Sequence, residues 1–271
     1  MDNSHFNGMT VIFWKIPNQK ANIMQLYFIR HGQSINNANT RNPDYQENSD
    51  PYLTEIGLEQ AEYLAKYLSG KQQIVEHETW NIQNQYGFGL THIYTSLMER
   101  ASMTAAPTVR ALENVPFTAW KDIHEEGGIY ARAEEDRFQG LSGKPRSFFE
   151  KNFPELKLPD DLDEMGWWNR AYETEEERQP RADKVLAELL ERHGDKEDQP
   201  EECIAFVSHG GFFVRLLSAM LQLPWRQGAL GRSSWFMLNN CSISRFDIRK
   251  NNIMVSYLNR VDHLPAHLVT G

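Results

Sequence analysis

Cysteine is almost absent from this chain: Cys203 and Cys241 are the only two in 271 residues. Two thiols make neither a disulfide framework nor a thiolate metal site, so both read as reduced core residues. Long runs of Lys and Arg are also missing, and the formal net charge is -9. A nucleic acid or a membrane surface is therefore not expected as partner, and any anionic ligand needs a local positive pocket. No apolar run approaches the roughly 20 residues of a membrane span. Residues 1 to 24 lack a basic region followed by a long apolar stretch, so no signal peptide is expected and a cytoplasmic location follows. The nine histidines include no HxH or HExxH pair, which removes the local signature of a metal-dependent hydrolase. His263 and His267 read as part of an exposed tail.

Enough apolar residue is present, 40% of the chain, for a sizeable core, and it falls into alternating strands and helices. Leu26-Tyr27-Phe28-Ile29 reads as a buried strand. Leu58, Ala61, Leu64, Ala65 and Leu68 recur at helical spacing behind Thr54, a candidate N-cap, until Gly70. Residues 71 to 90 read as a loop or insertion. Ile93 to Thr95 is a short strand, followed by a helix from about Met98 to Leu112 and an extended piece from Val115 to Trp120. Residues 121 to 180 carry glycines, prolines and the aromatics Phe148, Phe149, Phe153, Trp167 and Trp168, and read as a packed cover of short helices.

Beyond the cover, the acidic run from Glu173 to Glu177 reads either as a helix N-terminus, which carboxylates favour, or as a solvated charge run, and a helix is expected from Arg181 to His193. Cys203 to Val207 is another strand, and Phe212 to Leu221 a helix with Gly210-Gly211 at its start. Ser234 to Asn239, Ser242 to Ile248 and Ile253 to Tyr257 alternate as strands, the last two joined by a turn at 249–252. Val11 to Trp14 reads as an edge strand or a cap on the core. With no repeat and no composition break, the expected organisation is an N-terminal extension (1–24), one α/β domain (25–262) with its cover at about 121–180, and a C-terminal tail (263–271).

Two of the buried strands run out into histidines: Arg30-His31-Gly32 after the first, and Ser208-His209-Gly210-Gly211 after the Cys203 strand. Strand ends are where open α/β sheets place chemistry. A neutral imidazole held by one nitrogen is a nucleophile toward phosphorus through the other. A phosphoryl group in transfer carries charge on its equatorial oxygens and needs several cationic or N–H donors. Arg30, Arg100, His209 and the backbone N–H groups after Gly210 are the candidates. A carboxyl group is needed to protonate the leaving oxygen and then to activate water.

The segment from Leu26 through Arg30-His31-Gly32-Gln33-Ser34 to Asn37 resembles the signature of the histidine phosphatase superfamily, whose fold is phosphoglycerate-mutase-like. Leu53-Thr54-Glu55-Ile56-Gly57-Leu58-Glu59-Gln60-Ala61 is similar to the family's LTxxGxxQA helix. Tyr94 to Ala105 is similar to its SxxxRAxxTA segment, and Val207-Ser208-His209-Gly210-Gly211 to its last motif. The resemblance spans residues 26 to 211. It implies a three-layer α/β/α sandwich with a mostly parallel central sheet. It makes His31 the nucleophile that becomes phosphohistidine, and Arg30, Arg100 and His209 the phosphate clamp. Asn37 becomes a further phosphate contact, with Gln33 near the pocket and Gly210 on the substrate side.

Glu125, in the segment Asp122-Ile123-His124-Glu125-Glu126-Gly127-Gly128, best matches the family's carboxylate, with Glu126 as competitor; His124 is expected to pack. Glu125-Glu126-Gly127-Gly128 stands where cofactor-dependent mutases carry Glu-Arg-His-Tyr-Gly, and His209-Gly210-Gly211 where they carry His-Gly-Asn. Both departures favour a phosphatase. The region of Pro145-Arg146 and Gly166-Trp167-Trp168 is a candidate substrate cover, with Arg146 as ligand for a second anionic group; the alternative is that Trp167 and Trp168 fill a core beneath the insertion. The expected activity is that of a histidine acid-type phosphatase, a phosphoric monoester hydrolase, with no cofactor and no metal. Its partner is a small-molecule phosphomonoester; a homodimer is compatible with the sequence. The competing readings are mutase-type phosphoryl transfer and a catalytically idle binding module of the same fold.

Overall fold

A computed structural model describes residues 24–70, 81–133, 137–194, 201–223, 236–249 and 252–271. In chain order the elements are β1 (Met24–Arg30), α1 (Ile35–Asn39), α2 (Glu55–Leu68), β2 (His92–Thr95), α3 (Glu99–Ala111), β3 (Phe117–Ala119), β4 (Tyr130–Arg132), β5 (Phe138–Gly140), α4 (Arg146–Asn152), α5 (Glu175–His193), β6 (Cys203–Ser208), α6 (Gly210–Leu221), β7 (Ile243–Arg249) and β8 (Asn252–Arg260). Six strands form one sheet in the order β3-β2-β6-β1-β7-β8. β1, β2, β3 and β6 run parallel, while β7 and β8 extend the sheet antiparallel from β1.

The strand period of two divides the core between the two faces of this sheet. Tyr27 and Ile29 of β1, with Cys203, Ala205 and Val207 of β6, pack with Leu64, Leu68, Ala101 and Ala105 of α2 and α3. The alternate residues Leu26, Phe28, Ile204 and Phe206 pack with Ala182, Val185 and Leu189 of α5 and with Phe212, Phe213 and Leu216 of α6. The result is the expected α/β/α sandwich. Both cysteines are free and buried.

Local chemistry explains most boundaries. Thr54 caps α2 by accepting the Gly57 N–H, and the helix stops at Leu68. Gly57 has to be glycine, because a Cβ there would sit 2.2 Å from the Gln33 carbonyl oxygen. Its absence lets α2 touch the loop after β1. The face that α2 buries is Gly57, Gln60, Ala61, Leu64, Ala65 and Leu68, whereas Leu58, grouped with the core by periodicity, is exposed. The acidic run does open a helix: Thr174 and Glu177 form a capping box, and α5 begins at Glu175, six residues before the expected start.

Other expectations need correction. Residues 236–239 form no strand. The Leu238 carbonyl is instead taken by the Arg30 side chain, and the Asn239 N–H by Asn259 Oδ1. The cover contains the hairpin β4-β5 as well as α4. Trp167 and Trp168 lie within the core, filling the space beneath the insertion. The C-terminal segment is docked and not an exposed tail. Leu264 and Leu268 are buried, the His263 ring stacks on Tyr67, and Gln60 Nε2 donates to the Leu268 carbonyl (2.6 Å) and to Thr270 Oγ1 (2.8 Å). The expected edge strand at 11–14, most of the extension, residues 71–80 and the centre of the 249–252 turn lie outside the described residues.

Gln60 therefore ties two distant segments together, since its Oε1 also accepts the Gln33 N–H (2.7 Å). Gln60→Ala leaves these buried partners unsatisfied and should cost about 2–4 kcal/mol. Urea denaturation checks the loss, and faster proteolysis of the C-terminal segment should accompany it.

Candidate functional site

The site forms where β1 and β6 end side by side. Arg30 pairs with Ser208 in register, and the His31 N–H donates to the Ser208 carbonyl (2.9 Å). His31 and His209 are thus delivered from neighbouring strands with their ring centroids 5.1 Å apart. The loop that carries His31 is held by side chains from three other elements. Thr104 Oγ1 accepts the Gly32 N–H (2.9 Å), Gln60 accepts that of Gln33, and Asn240 Nδ2 donates to the His31 carbonyl (3.1 Å).

His31 has a defined tautomer. Nδ1 faces the Gly32 carbonyl at 2.7 Å and so carries the proton, while Nε2 accepts from Arg100 Nε at 3.1 Å. Burial, then the charges of Arg100 and Arg30, hold the imidazole well below its usual pKa. His209 is likewise buried and neutral, shifted by burial and by Arg100. Its Nε2 is 2.7 Å from Ser96 Oγ, and its Nδ1 is buried without a protein partner. Arg30 gives one terminal N–H to the Leu238 carbonyl, while its Nε is buried and also without a partner. A Cβ on Gly210 would be 3.8 Å from that Nε, which places the start of α6 beside Arg30. Burial lowers both Arg30 and Arg100, opposed by the negative charge of Glu125 and, for Arg100, first by Asp50.

Glu125 lies against the N-terminus of α6. Its Oε1 accepts from Phe212 N (3.1 Å) and Glu126 N (2.9 Å), and its Oε2 from Gly211 N (3.3 Å). The Gly211 and Phe212 N–H groups are among those a helix start leaves unpaired. Glu126 points elsewhere, and its carboxylate binds Arg215 and Arg178. His124 packs against Trp167 and Trp168 with Nδ1 on the Glu125 carbonyl. The loop itself hangs on Arg181, which binds the carbonyls of Asp122 and His124 and makes a buried double contact with Glu173.

The remaining sequence candidates divide. Asn37 Oδ1 is engaged by Ser34 and by Asn240 Nδ2, which leaves its NH2 as the end able to donate to an anion. Gln33 Oε1 accepts from Thr54 Oγ1 (2.8 Å). Arg146 is not brought to the site. Its Nε and one terminal nitrogen bind the carbonyls of Leu162 and Pro159, and the other terminal nitrogen pairs with Glu150. It holds the cover's own loop, because carbonyls there have no helix or sheet partner.

Ser96, Arg181, Glu173, Asn240 and Asp50 also belong to the site, and sequence reasoning does not find them. Asp50 lies 4.0 Å from an Arg100 terminal nitrogen and accepts the Glu99 N–H (3.0 Å), while its second oxygen is buried without a partner. It lines a cleft of about 510 Å³ together with Tyr52, Glu99, Ile129, Leu141 and Lys144. Ser96 opens the SxxxRAxxTA segment, which gives it no role by itself; no local pattern marks the other four, and only the fold brings them together.

A family model described as the histidine phosphatase superfamily (branch 1) matches residues 26–77 and 83–261, most of the chain. The chain belongs to the histidine phosphatase superfamily. Among solved structures it is similar to a putative alpha-ribazole-5'-P phosphatase from Escherichia coli (TM-score 0.55, 20% identity, 88% of this chain and 97% of that one). It is also similar to a mycobacterial glucosyl-3-phosphoglycerate phosphatase (0.51, 19%, 89% and 100%). A third is a phosphoserine phosphatase mutant from Entamoeba histolytica (0.50, 18%, 89% and 100%). At these identities the likeness is one of fold. No curated protein matches the chain in sequence. No helix among the described residues is long and apolar enough to cross a membrane.

Burial raises the Asp50 carboxyl to about 6, against the pull of Arg100. A carboxyl raised on folding contributes stability that is fully present below its unfolded pKa and is lost as pH rises through the folded one. Here that loss is on the order of 3 kcal/mol, spread between about pH 4 and pH 7. Asp50→Asn stays uncharged throughout. Its melting temperature relative to the parent should therefore climb from pH 4.5 to 7.5, and thermal melts of both proteins across that range check it.

Proposed function

We propose that this protein hydrolyses small phosphomonoesters through a phosphohistidine at His31. The observation that carries the reading is the pair of buried, unpartnered ring and guanidine nitrogens, His209 Nδ1 and Arg30 Nε, in the same site as a neutral His31. Buried polar atoms without partners are costly, and a phosphoryl group supplies the acceptor oxygens that such atoms lack. Arg100, already on His31 Nε2, completes the cradle; Asn37 and the N-terminus of α6 at Gly210 add donors at its rim.

In the first step His31 Nε2 forms a bond to phosphorus while the bond from phosphorus to the leaving oxygen breaks and Glu125 gives that oxygen its proton. In the second, water attacks phosphorus, Glu125 takes the water proton, and the P–N bond breaks to return His31. The acid is thereby restored. Glu125 is assigned both steps by its position, close enough to Arg30 and Arg100 to act on both, and it enters the first step as the carboxylic acid; Glu126 is held instead by Arg215 and Arg178.

Hydrolysis is preferred to mutase-type transfer on two grounds. The motifs at 125–128 and 209–211 depart from those of the mutases, and the three structural neighbours named above are called phosphatases. Those names specify three different substrates, so the reading stops at a phosphomonoesterase of the histidine acid type. A small soluble metabolite is the expected partner.

Mixing the enzyme with labelled substrate and quenching in base should trap label on the wild type and none on His31→Ala. Glu125→Gln should lower kcat by about 10²–10⁴-fold and accumulate little product from esters with poor leaving groups. Normal turnover by His31→Ala would refute the mechanism, and interconversion of phosphoglycerates without phosphate release would favour the mutase.

Gly211 tests the placement of Glu125 from the other side. A Cβ there would sit 2.4 Å from Glu125 Oε1 and 2.9 Å from Glu126 Cγ. Gly211→Ala should therefore displace the acid and reduce kcat/KM by about 10²-fold, the scale set by misplacing a catalytic group by about 1 Å. The change in melting temperature should be small, since alanine suits a helix. Steady-state kinetics beside a thermal melt separate the two effects.

A further inference from the structure

At the opposite end of the strands, the start of β2, the residue before β6 and the end of α5 bring together three ligand-bearing side chains that the proposed chemistry does not use. One ring nitrogen each of His92 and His193 and a carboxylate oxygen of Glu202 all lie within 4.8 Å of one another. We propose that His92, His193 and Glu202 form a binding site for a divalent cation of the zinc type, one that fastens the end of α5 to the sheet.

Two imidazoles and a carboxylate are a ligand set suited to such an ion, with the fourth position left to water. Bond lengths of about 2.0–2.2 Å in a tetrahedron put ligand atoms roughly 3.3–3.5 Å apart. The observed group is therefore within a small side-chain adjustment of that geometry.

The hydrogen bonds around the cluster already orient both rings. Thr91 Oγ1 donates to the Cys203 carbonyl (3.2 Å) and accepts the Cys203 N–H (3.1 Å), so what it offers His92 Nδ1 at 3.1 Å is a lone pair. His92 is thereby held with its proton on Nδ1, and Nε2 keeps the lone pair that a cation needs. On His193, Nε2 meets the Tyr94 hydroxyl at 2.8 Å, while Nδ1 contacts the Glu202 carboxylate. A cation inserted between Nδ1 and the carboxylate takes the place of the proton they share; the ring is then a neutral ligand with its one proton on Nε2, donated to the Tyr94 oxygen, and any second proton leaves to solvent. A hydroxyl on the far nitrogen of each ligating histidine is the outer-shell support that metal sites commonly carry.

The cluster is partly open to solvent: the His193 side chain is 5% exposed and that of Glu202 30%. The site is structural in position. β6 runs from Cys203 to Ser208, and six residues at about 3.3 Å each separate it from His209 by roughly 20 Å. It therefore stands apart from the phosphate cradle, and its test does not depend on that reading.

The experiment is a titration of the chelator-treated, full-length protein with Zn²⁺ against a chromophoric chelator, with Co²⁺ absorption as the reporter of four-coordinate geometry. The expected result is one tightly bound ion per chain, a raised melting temperature, proton release on binding, and unchanged turnover well below the melting temperature. His92→Ala and Glu202→Gln, both at partly exposed positions, should each weaken binding by about 100-fold or more. His267→Ala, which removes an exposed histidine elsewhere, should not. If one of the two variants fails to fold, the other decides alone. Absence of tight Zn²⁺ binding by the parent overturns the proposal, and so does unchanged affinity in His92→Ala or Glu202→Gln.

Discussion

Parallel pairing of β1 with β6 is the constraint on which the rest of the molecule depends. Its register sets Arg30 opposite Ser208, so the residues after each strand, His31 and His209, emerge at one level. β2 pairs with the other edge of β6, Thr95 opposite Val207, and so its next residue, Ser96, reaches the His209 ring. A slip of one residue along β6 would turn its alternating apolar side chains to the wrong faces. The two cores therefore police the register that the site requires.

The same packing makes the site electrostatically costly. His31, His209 and Arg100 are all buried, and burial disfavours the charged form of each. For the histidines this is useful, since a neutral ring keeps a lone pair. For the arginines the compensation is shared between Asp50 and Glu125 and is incomplete, because a buried guanidine nitrogen of Arg30 still lacks an acceptor. A protein tolerates such groups where a ligand completes them, and an anion is the ligand proposed for the donors around His31.

Legibility in the sequence follows range. Short apolar runs locate β1, β2 and β6, and helical spacing with Thr54 locates α2, because these signals involve neighbours a few residues apart. Leu58 is misplaced by the same spacing, since periodicity defines a face but not its edges. Residues 236–239 read as a strand, yet their polar groups are taken by Arg30 and Asn259, partners more than a dozen residues away. The docking of 263–271 rests on Gln60, some 200 residues earlier. Arg146 illustrates the reverse error: an arginine in a cover segment reads as available for an anion, but the irregular backbone around it has carbonyls to satisfy first.

What the sequence determined by itself was the layered fold, the family and which histidines and arginines stand at the strand ends, since strand-end motifs and short apolar runs are written in adjacent residues. Tertiary structure decided the relations among them. It separated Glu125, on the start of α6, from Glu126, bound to two arginines. It supplied Asp50 and Ser96 as the partners of Arg100 and His209, and it assembled His92, His193 and Glu202 from three elements. Each of these depends on distances between side chains far apart along the chain, which the packing of helices on a twisted sheet sets and local order does not encode.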